Sequence, residues 1–213
     1  MAFEDDDRDR RDNDDAALNV SRRAFLKTVS ASSIAAGVIS PAETDAQTAP
    51  TAVGPGEIPI KLTIDGKTHP LTVEPRVTLL DAMRNRIDIT GLKRVCDRGT
   101  CGACTVIVDG RTHYSCTLLA IEMQGVAIRT VDGLTKGTVL HPVQEAFCKH
   151  DGLMCGFCTP GFVVSAVALL EKTPSPTADQ AKAALSGNIC RCGTYSQIRA
   201  AIHRAAEMKG ARA

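Results

Sequence analysis

Nine cysteines fall between Cys96 and Cys192, and the chain ahead of them has none. Eight of the nine divide into two sets by spacing. The first is Cys96-x4-Cys101-x2-Cys104-x11-Cys116, and the second is Cys155-x2-Cys158 joined, after 31 intervening residues, by Cys190-x-Cys192. Thiols set this close along a chain meet in a compact fold, which must then cross-link them or supply them with a metal. Cys190-Arg191-Cys192 and the two C-x-x-C pairs suit a metal better than structural cross-links. The ninth, Cys148, is expected in mid-helix beside Phe147 as a small buried hydrophobe.

The Cys96, Cys101 and Cys104 spacings match the C-x4-C-x2-C pattern, with a distant fourth cysteine, that holds a [2Fe–2S] core in plant-type ferredoxins. Each iron takes tetrahedral sulfur ligation, so a compact rhomb needs most of its ligands from one tight loop. Gly99 and Gly102 in the loop 96–104 allow unusual backbone angles and a close approach. Backbone N–H groups there can then point at the cluster sulfurs and help to set the potential. Gly156, between Cys155 and Cys158, is assigned the same role in the second set. Zinc is an alternative for either set, because Cys₄ zinc sites also use C-x-x-C, although Cys190-x-Cys192 and Cys96-x4-Cys101 are less typical of zinc fingers. Disulfides are the alternative for an exported chain. A thioredoxin-like redox pair at Cys155 and Cys158 lacks the βαβ setting that such a motif needs.

Composition excludes more than it indicates. The hydrophobic fraction of 44% is enough for a core in 213 residues, although only 3% is aromatic and there is no Trp. No apolar run approaches the ~20 residues of a membrane-spanning helix, so no stable membrane anchor is expected. A formal net charge of +1 and the lack of a basic block give no sign of nucleic-acid binding. Residues 1–20 carry eight acids against three arginines, a run too charged to bury apolar surface. Ser21-Arg22-Arg23-Ala24-Phe25-Leu26-Lys27 then fits the pattern S-R-R-x-F-L-K at every position and resembles a twin-arginine export signal, ahead of the uncharged stretch 28–42. The resemblance implies export of an already folded protein by the Tat translocation machinery to the periplasm. Residues 1–46 are read as an acidic leader plus export signal, cleaved near Ala46. Residues 47–57, rich in Ala, Thr, Pro and Gly, are read as a linker.

From Ile58 onward the pattern becomes structural. Ile58, Ile60, Leu62 and Ile64 alternate as in a half-buried strand, and Asp65-Gly66 signals a tight hairpin into a second strand ending near Val73. Thr78 caps a helix with Leu79, Leu80, Met83 and Ile87 on one face. The strands 105–108 and 111–115 join through Asp109-Gly110, and 126–131 reads as a further strand. These elements make a small α+β domain. Helical patterns follow at 138–149, with Pro142 in the first turn, and at 161–172, apolar on nearly every side. A capping box at Thr177–Gln180 opens a helix stopping at Gly187, and a second box, Thr194-Tyr195-Ser196-Gln197, opens the last helix with Ile198, Ile202, Ala205 and Met208 inward.

Three segments together resemble one family: the loop 96–104 with Cys116, then Cys155-Gly156-Phe157-Cys158-Thr159-Pro160-Gly161, then Asn188-Ile189-Cys190-Arg191-Cys192-Gly193. It is the small iron–sulfur subunit of the xanthine dehydrogenase/aldehyde oxidoreductase group of molybdenum hydroxylases, and the resemblance covers about residues 57–208. With the export signal, it points toward periplasmic aldehyde dehydrogenases. The resemblance implies an α+β chain with a β-grasp, plant-type ferredoxin-like domain at 58–132 and a four-helix bundle domain at 138–209. Each would carry one [2Fe–2S] cluster, the first on Cys96, Cys101, Cys104 and Cys116, the second on Cys155, Cys158, Cys190 and Cys192. It further implies a large partner subunit with the molybdenum cofactor and a third subunit with FAD, or a cytochrome c subunit in its place. Electrons would pass from molybdenum to the second quartet, then to the first, then to FAD. Cys192 is the ligand placed nearest the partner's pterin. One position departs from the family pattern: a Gln commonly precedes C-G-x-C, and here Met154 stands there, unable to make a primary amide's hydrogen bonds.

The chain itself is then expected to do no substrate chemistry. It has no dinucleotide-binding fingerprint, and its five histidines are scattered singly. Two other classes of function fit the same cysteines: a free-standing two-cluster electron carrier, and a zinc-stabilised interaction module. Nothing in the sequence selects among aldehydes, purines and N-heterocycles as substrate.

Overall fold

The structure, a computed structural model, describes residues 54–210. The acidic leader, the export signal and most of the linker lie outside the described residues. Strands β1 (Ile58–Ile64) and β2 (Lys67–Val73) pair antiparallel from Ile58↔Val73 to Ile64↔Lys67. Asp65 and Gly66 both take positive φ, 50° and 78°, the twist that a two-residue hairpin requires. Asp109 and Gly110 repeat the device between β3 (Thr105–Val108) and β4 (Arg111–Tyr114). A short β5 (Ala127–Arg129) completes a sheet of order β2-β1-β5-β3-β4, parallel to β1 and antiparallel to β3.

The sheet wraps helix α1 (Leu79–Arg86). Thr78 caps it, its hydroxyl accepting from Asp81 N at 3.2 Å. Leu79, Leu80, Ala82 and Met83 pack against Ile60, Leu62, Ile64, Val106, Val108 and Ile128. This is the β-grasp arrangement. β5 is shorter than the expected 126–131, because Thr130 leaves the ladder: its N–H and hydroxyl donate to the Asp65 carboxylate at 2.7 and 2.6 Å.

Four helices follow: α2 (Pro142–Lys149), α3 (Thr159–Lys172), α4 (Ala178–Ala184) and α5 (Tyr195–Gly210). α2 starts four residues later than the sequence pattern places it. His141 caps it, its ring nitrogen accepting from Val143 N at 3.2 Å while Gln144 Oε1 accepts from His141 N at 2.9 Å. Pro142 thereby occupies the first helical position, where its missing N–H costs nothing. α4 carries the expected capping box, with Thr177 and Gln180 bonded reciprocally at 3.2 and 2.8 Å, but it ends at Ala184 rather than Gly187. Both side chains of the second expected box are engaged elsewhere: Thr194 Oγ1 lies 3.1 Å from Cys190 Sγ, and Gln197 Oε1 accepts from Ser196. Cys148 is exposed, contrary to expectation. Val143, Ala146 and Phe147 take the inward face of α2, and the next residue turns about 100° away from Phe147.

The two cores meet at β3, whose four residues are all buried. Val106 and Val108 belong to the core under α1, whereas Ile107 packs with Phe162, Val163, Val167, Ile198 and Ile202 among the helices. The sheet is thus covered on both faces at this strand. Arg129 on β5 adds a forked ion pair to Glu171 on α3, at 2.8 and 2.6 Å.

Candidate functional site

The loop 96–104 connects α1 to β3, and Cys116 sits in a 3₁₀ turn (Ser115–Thr117) after β4. Cys104 and Cys116 are buried in the β-grasp core, while Cys96 and Cys101 are half-exposed. The loop turns through Asp97, Gly99 and Gly102 at φ of 55°, 72° and 70°. Those turns aim amides inward, with Gly99 N 3.3 Å from Cys116 Sγ and Thr100 N 3.4 Å from Cys96 Sγ. A side chain at Gly99 would also place Cβ 2.8 Å from the Thr117 methyl. Both glycines therefore do what the sequence pattern asks of them.

Within this quartet the thiols associate in pairs, Cys96 with Cys101 and Cys104 with Cys116, within hydrogen-bonding reach. Burial pushes the Cys96 thiol up, but the N–H groups of Arg98, Thr100 and Cys101, with the Cys101 thiol, hold it down at about 6. Burial pushes Cys116 up to about 11; the Gly99 amide opposes it, and the neighbouring sulfurs Cys104 and Cys96 reinforce it. Four thiols gathered this closely repel one another as thiolates, and a cationic core between them removes that repulsion.

The second quartet lies where α3 begins and where α4 gives way to α5. Cys158 occupies the N-cap of α3, and Gly156 turns the chain at φ 81°. Cys158 pairs with Cys190, and Cys155 pairs with Cys192. Burial pushes Cys158 up to about 12, with the charges of Cys190 and Cys155 adding to it. Burial also raises Cys190, but the Thr194 hydroxyl and N–H, the Cys158 thiol and the Gly193 N–H bring it down to about 7. Cys190 is buried, whereas Cys155 and Cys192 are exposed. An apolar rim adjoins these two exposed sulfurs along the chain: Met154 is 72% exposed and Phe157 54%, with Leu153, Ile189 and Tyr195 nearby in sequence and also exposed.

Both donor sets fit a binuclear iron–sulfide core. Each has four cysteine sulfurs in two neighbouring pairs, which would hold the two irons, and the first has amides directed at sulfur. All nine cysteines are free of disulfides.

Sequence reading missed the residues between the quartets. Asn188, buried two positions before Cys190, donates to Gly102 O at 2.9 Å and Thr105 Oγ1 at 3.2 Å, and accepts from Ser165 Oγ at 2.8 Å. Ile189 N donates to Cys101 O at 3.0 Å, and the Tyr114 hydroxyl donates to Gly187 O at 2.8 Å. A single polar residue carries no periodic signal, and its partners in the β-grasp domain lie more than eighty positions away.

Comparison with known proteins agrees with this geometry. Residues 62–130 match the 2Fe-2S iron-sulfur cluster binding domain, and residues 130–203 match a second [2Fe-2S] binding domain. The aldehyde oxidoreductase iron-sulfur-binding subunit PaoA of Escherichia coli O157:H7 is 45% identical over 205 residues, covering 89% of each chain. The nicotine 6-hydroxylase small subunit of Paenarthrobacter nicotinovorans is 46% identical over 145 residues, covering 68% of this chain and 87% of the relative. The crystal structure of quinoline 2-oxidoreductase from Pseudomonas putida 86 superimposes with a TM-score of 0.70 at 40% identity, covering 73% of this chain and 97% of that one. The chain belongs to the small iron–sulfur subunits of the molybdenum hydroxylases, and is a non-catalytic subunit of an oxidoreductase.

Proposed function

We propose that this chain relays electrons within a periplasmic aldehyde-oxidising molybdenum hydroxylase. Two [2Fe–2S] clusters do the relaying, held by Cys155, Cys158, Cys190 and Cys192 and by Cys96, Cys101, Cys104 and Cys116. A [2Fe–2S] centre supplies reversible one-electron storage when bound. Electrons arrive from the molybdenum cofactor of a large partner subunit at the second quartet, where Cys192 faces the pterin. They continue to the first quartet and leave to FAD on a third subunit. The observation that carries this reading is the asymmetry of the two quartets. Cys155 and Cys192 are open to a partner and rimmed by apolar side chains, whereas the other six ligands are half-exposed or buried.

Such a rim favours a bound subunit over a freely diffusing carrier, because exposed apolar surface of this kind marks docking sites. The paired arrangement of the sulfurs favours iron over zinc. The similarity to PaoA, an aldehyde oxidoreductase subunit by name, supports aldehydes, and the Ser21–Lys27 pattern supports export. The Tat machinery would deliver the folded, loaded subunit across the inner membrane.

Purification from the native host, followed by assay of molybdenum, flavin and haem in the accompanying subunits, tests the proposal. Molybdenum with flavin is the expected result. Haem in place of flavin would replace the acceptor with a cytochrome. A chain that emerges alone and active as a carrier would overturn the subunit reading.

A further inference from the structure

We propose that Asn188 is a positioning residue that fixes the electronic coupling between the two sulfur quartets. This inference rests on the reading that both quartets hold clusters. Three consecutive residues ahead of Cys190 are each tied to the β-grasp domain. Gly187 is held through its carbonyl by Tyr114, Asn188 through its amide by Gly102 and Thr105, and Ile189 through its N–H by the carbonyl of Cys101. The last of these joins a ligand of one quartet to the residue adjoining a ligand of the other. A continuous route of backbone and side-chain bonds therefore links Cys101 Sγ to Cys190 Sγ, broken only by the 3.0 Å hydrogen bond from Ile189 N to Cys101 O.

Tunnelling between redox centres weakens exponentially with separation, and most steeply across non-covalent gaps. The length of that one hydrogen bond therefore matters more than any other contact in the seam. Asn188 is the group that holds it. The residue is 5% exposed and its carboxamide uses both ends, donating to Gly102 O and Thr105 Oγ1 and accepting from Ser165 Oγ on α3. The Thr105 hydroxyl and N–H donate to the same Gly102 carbonyl at 2.6 and 3.2 Å, so the loop residue that follows Cys101 is gripped three times.

The seam has no slack. A Cβ at Gly102 would lie 2.5 Å from Asn188 Nδ2 and from Gly187 O, and one at Gly187 would lie 2.0 Å from the Tyr114 hydroxyl oxygen. Backbones approach here too closely to admit a Cβ, and the Asn188 side chain threads between them beside the Tyr114 hydroxyl. No other residue of similar size offers a donor and an acceptor in this fork.

The test uses the assembled wild-type complex, Asn188→Ala, Ser165→Ala and Thr105→Ser. Iron and sulfide analysis first establishes that each variant retains both clusters. Low-temperature EPR of the fully reduced complex then reads the spin–spin splitting between them, and pulse radiolysis reads the rate of electron exchange. Asn188→Ala is expected to lose the splitting and slow the exchange while both cluster signals keep their intensity. Ser165→Ala, which only frees the Asn188 oxygen, should shift both in the same direction by less. Thr105→Ser keeps the hydroxyl and should match wild type. Splitting and exchange rate unchanged in Asn188→Ala with both clusters present would overturn the proposal, even if the variant melts earlier. Should Asn188→Ala fail to fold, an unaltered Ser165→Ala overturns it. Fewer than two paramagnetic species in wild type would instead refute the two-cluster reading beneath it.

Discussion

Replacing Gly161 with alanine isolates the seam without touching a sulfur ligand. Gly161 lies in the first turn of α3, where alanine alone would be preferred by about 1 kcal/mol on helix propensity. The surroundings reverse that sign. An added Cβ would sit 2.1 Å from Gly102 O and 2.9 Å from Asn188 Nδ2, against an ordinary carbon–oxygen contact well above 3 Å. The obstruction is backbone, so the Gly102 carbonyl must move by roughly an ångström rather than a side chain swinging aside. That displacement strains its bonds from Asn188 at 2.9 Å and Thr105 at 2.6 Å, both in buried surroundings. Overpacking of this kind costs about 1–3 kcal/mol, and leaving a buried polar group unsatisfied costs about 1–3 kcal/mol more. After the propensity gain, the net loss is about 1–5 kcal/mol. For a folded unit of this size that corresponds to a fall in Tm on the order of 10 °C, measured by calorimetry on the iron-loaded chain. A Gly161→Ala protein as stable as wild type, or more so, would refute the close approach of the two cysteine loops.

Other substitutions separate the parts of the account. Cys158→Ser should abolish one reduced-state EPR signal and leave the other, because the quartets share no ligand; loss of both signals would contradict separate centres. Ile202→Ala, at a fully buried position of the helical core, should destabilise by about 2–5 kcal/mol in denaturant titration. Thr78→Ala removes the hydroxyl that accepts from Asp81 N and should cost about 1 kcal/mol in the same titration. Burial raises the carboxyl pKa of Asp65 above its ordinary 3.8, against the lowering effect of the bonds from Thr130. The folded state therefore binds that proton more tightly than the unfolded chain, and the group's contribution to stability is lost as pH rises from 3.8 through the raised value. Asp65→Asn should remove this limb from the difference between the wild-type and variant pH–stability curves.

The sequence is most legible where the chain's own chemistry is local. The Asp-Gly hairpins at 65–66 and 109–110 and the caps at Thr78 and Thr177 each announce themselves within a few residues, and the fold uses them as expected. His141 escaped because histidine is an uncommon cap and Pro142 was read as an interior first-turn residue rather than the first helical position. Cys148 departs from the expected burial because a residue beside Phe147 on a short helix cannot share its direction. The burial of β3 on both faces was foreshadowed by the unbroken apolar run Val106-Ile107-Val108, which period-2 reasoning does not interpret. The seam at Asn188 is of another kind. Its bonds join residues 86 and 83 positions apart, and only the docking of helix onto sheet brings them together.

Iron and acid-labile sulfide, counted per chain in the purified complex alongside EPR of the dithionite-reduced sample, test the central claim most directly. The paired sulfur quartets predict about four of each per chain and two distinct paramagnetic species. Zinc in place of iron, or a single species with about half that iron, would contradict the account.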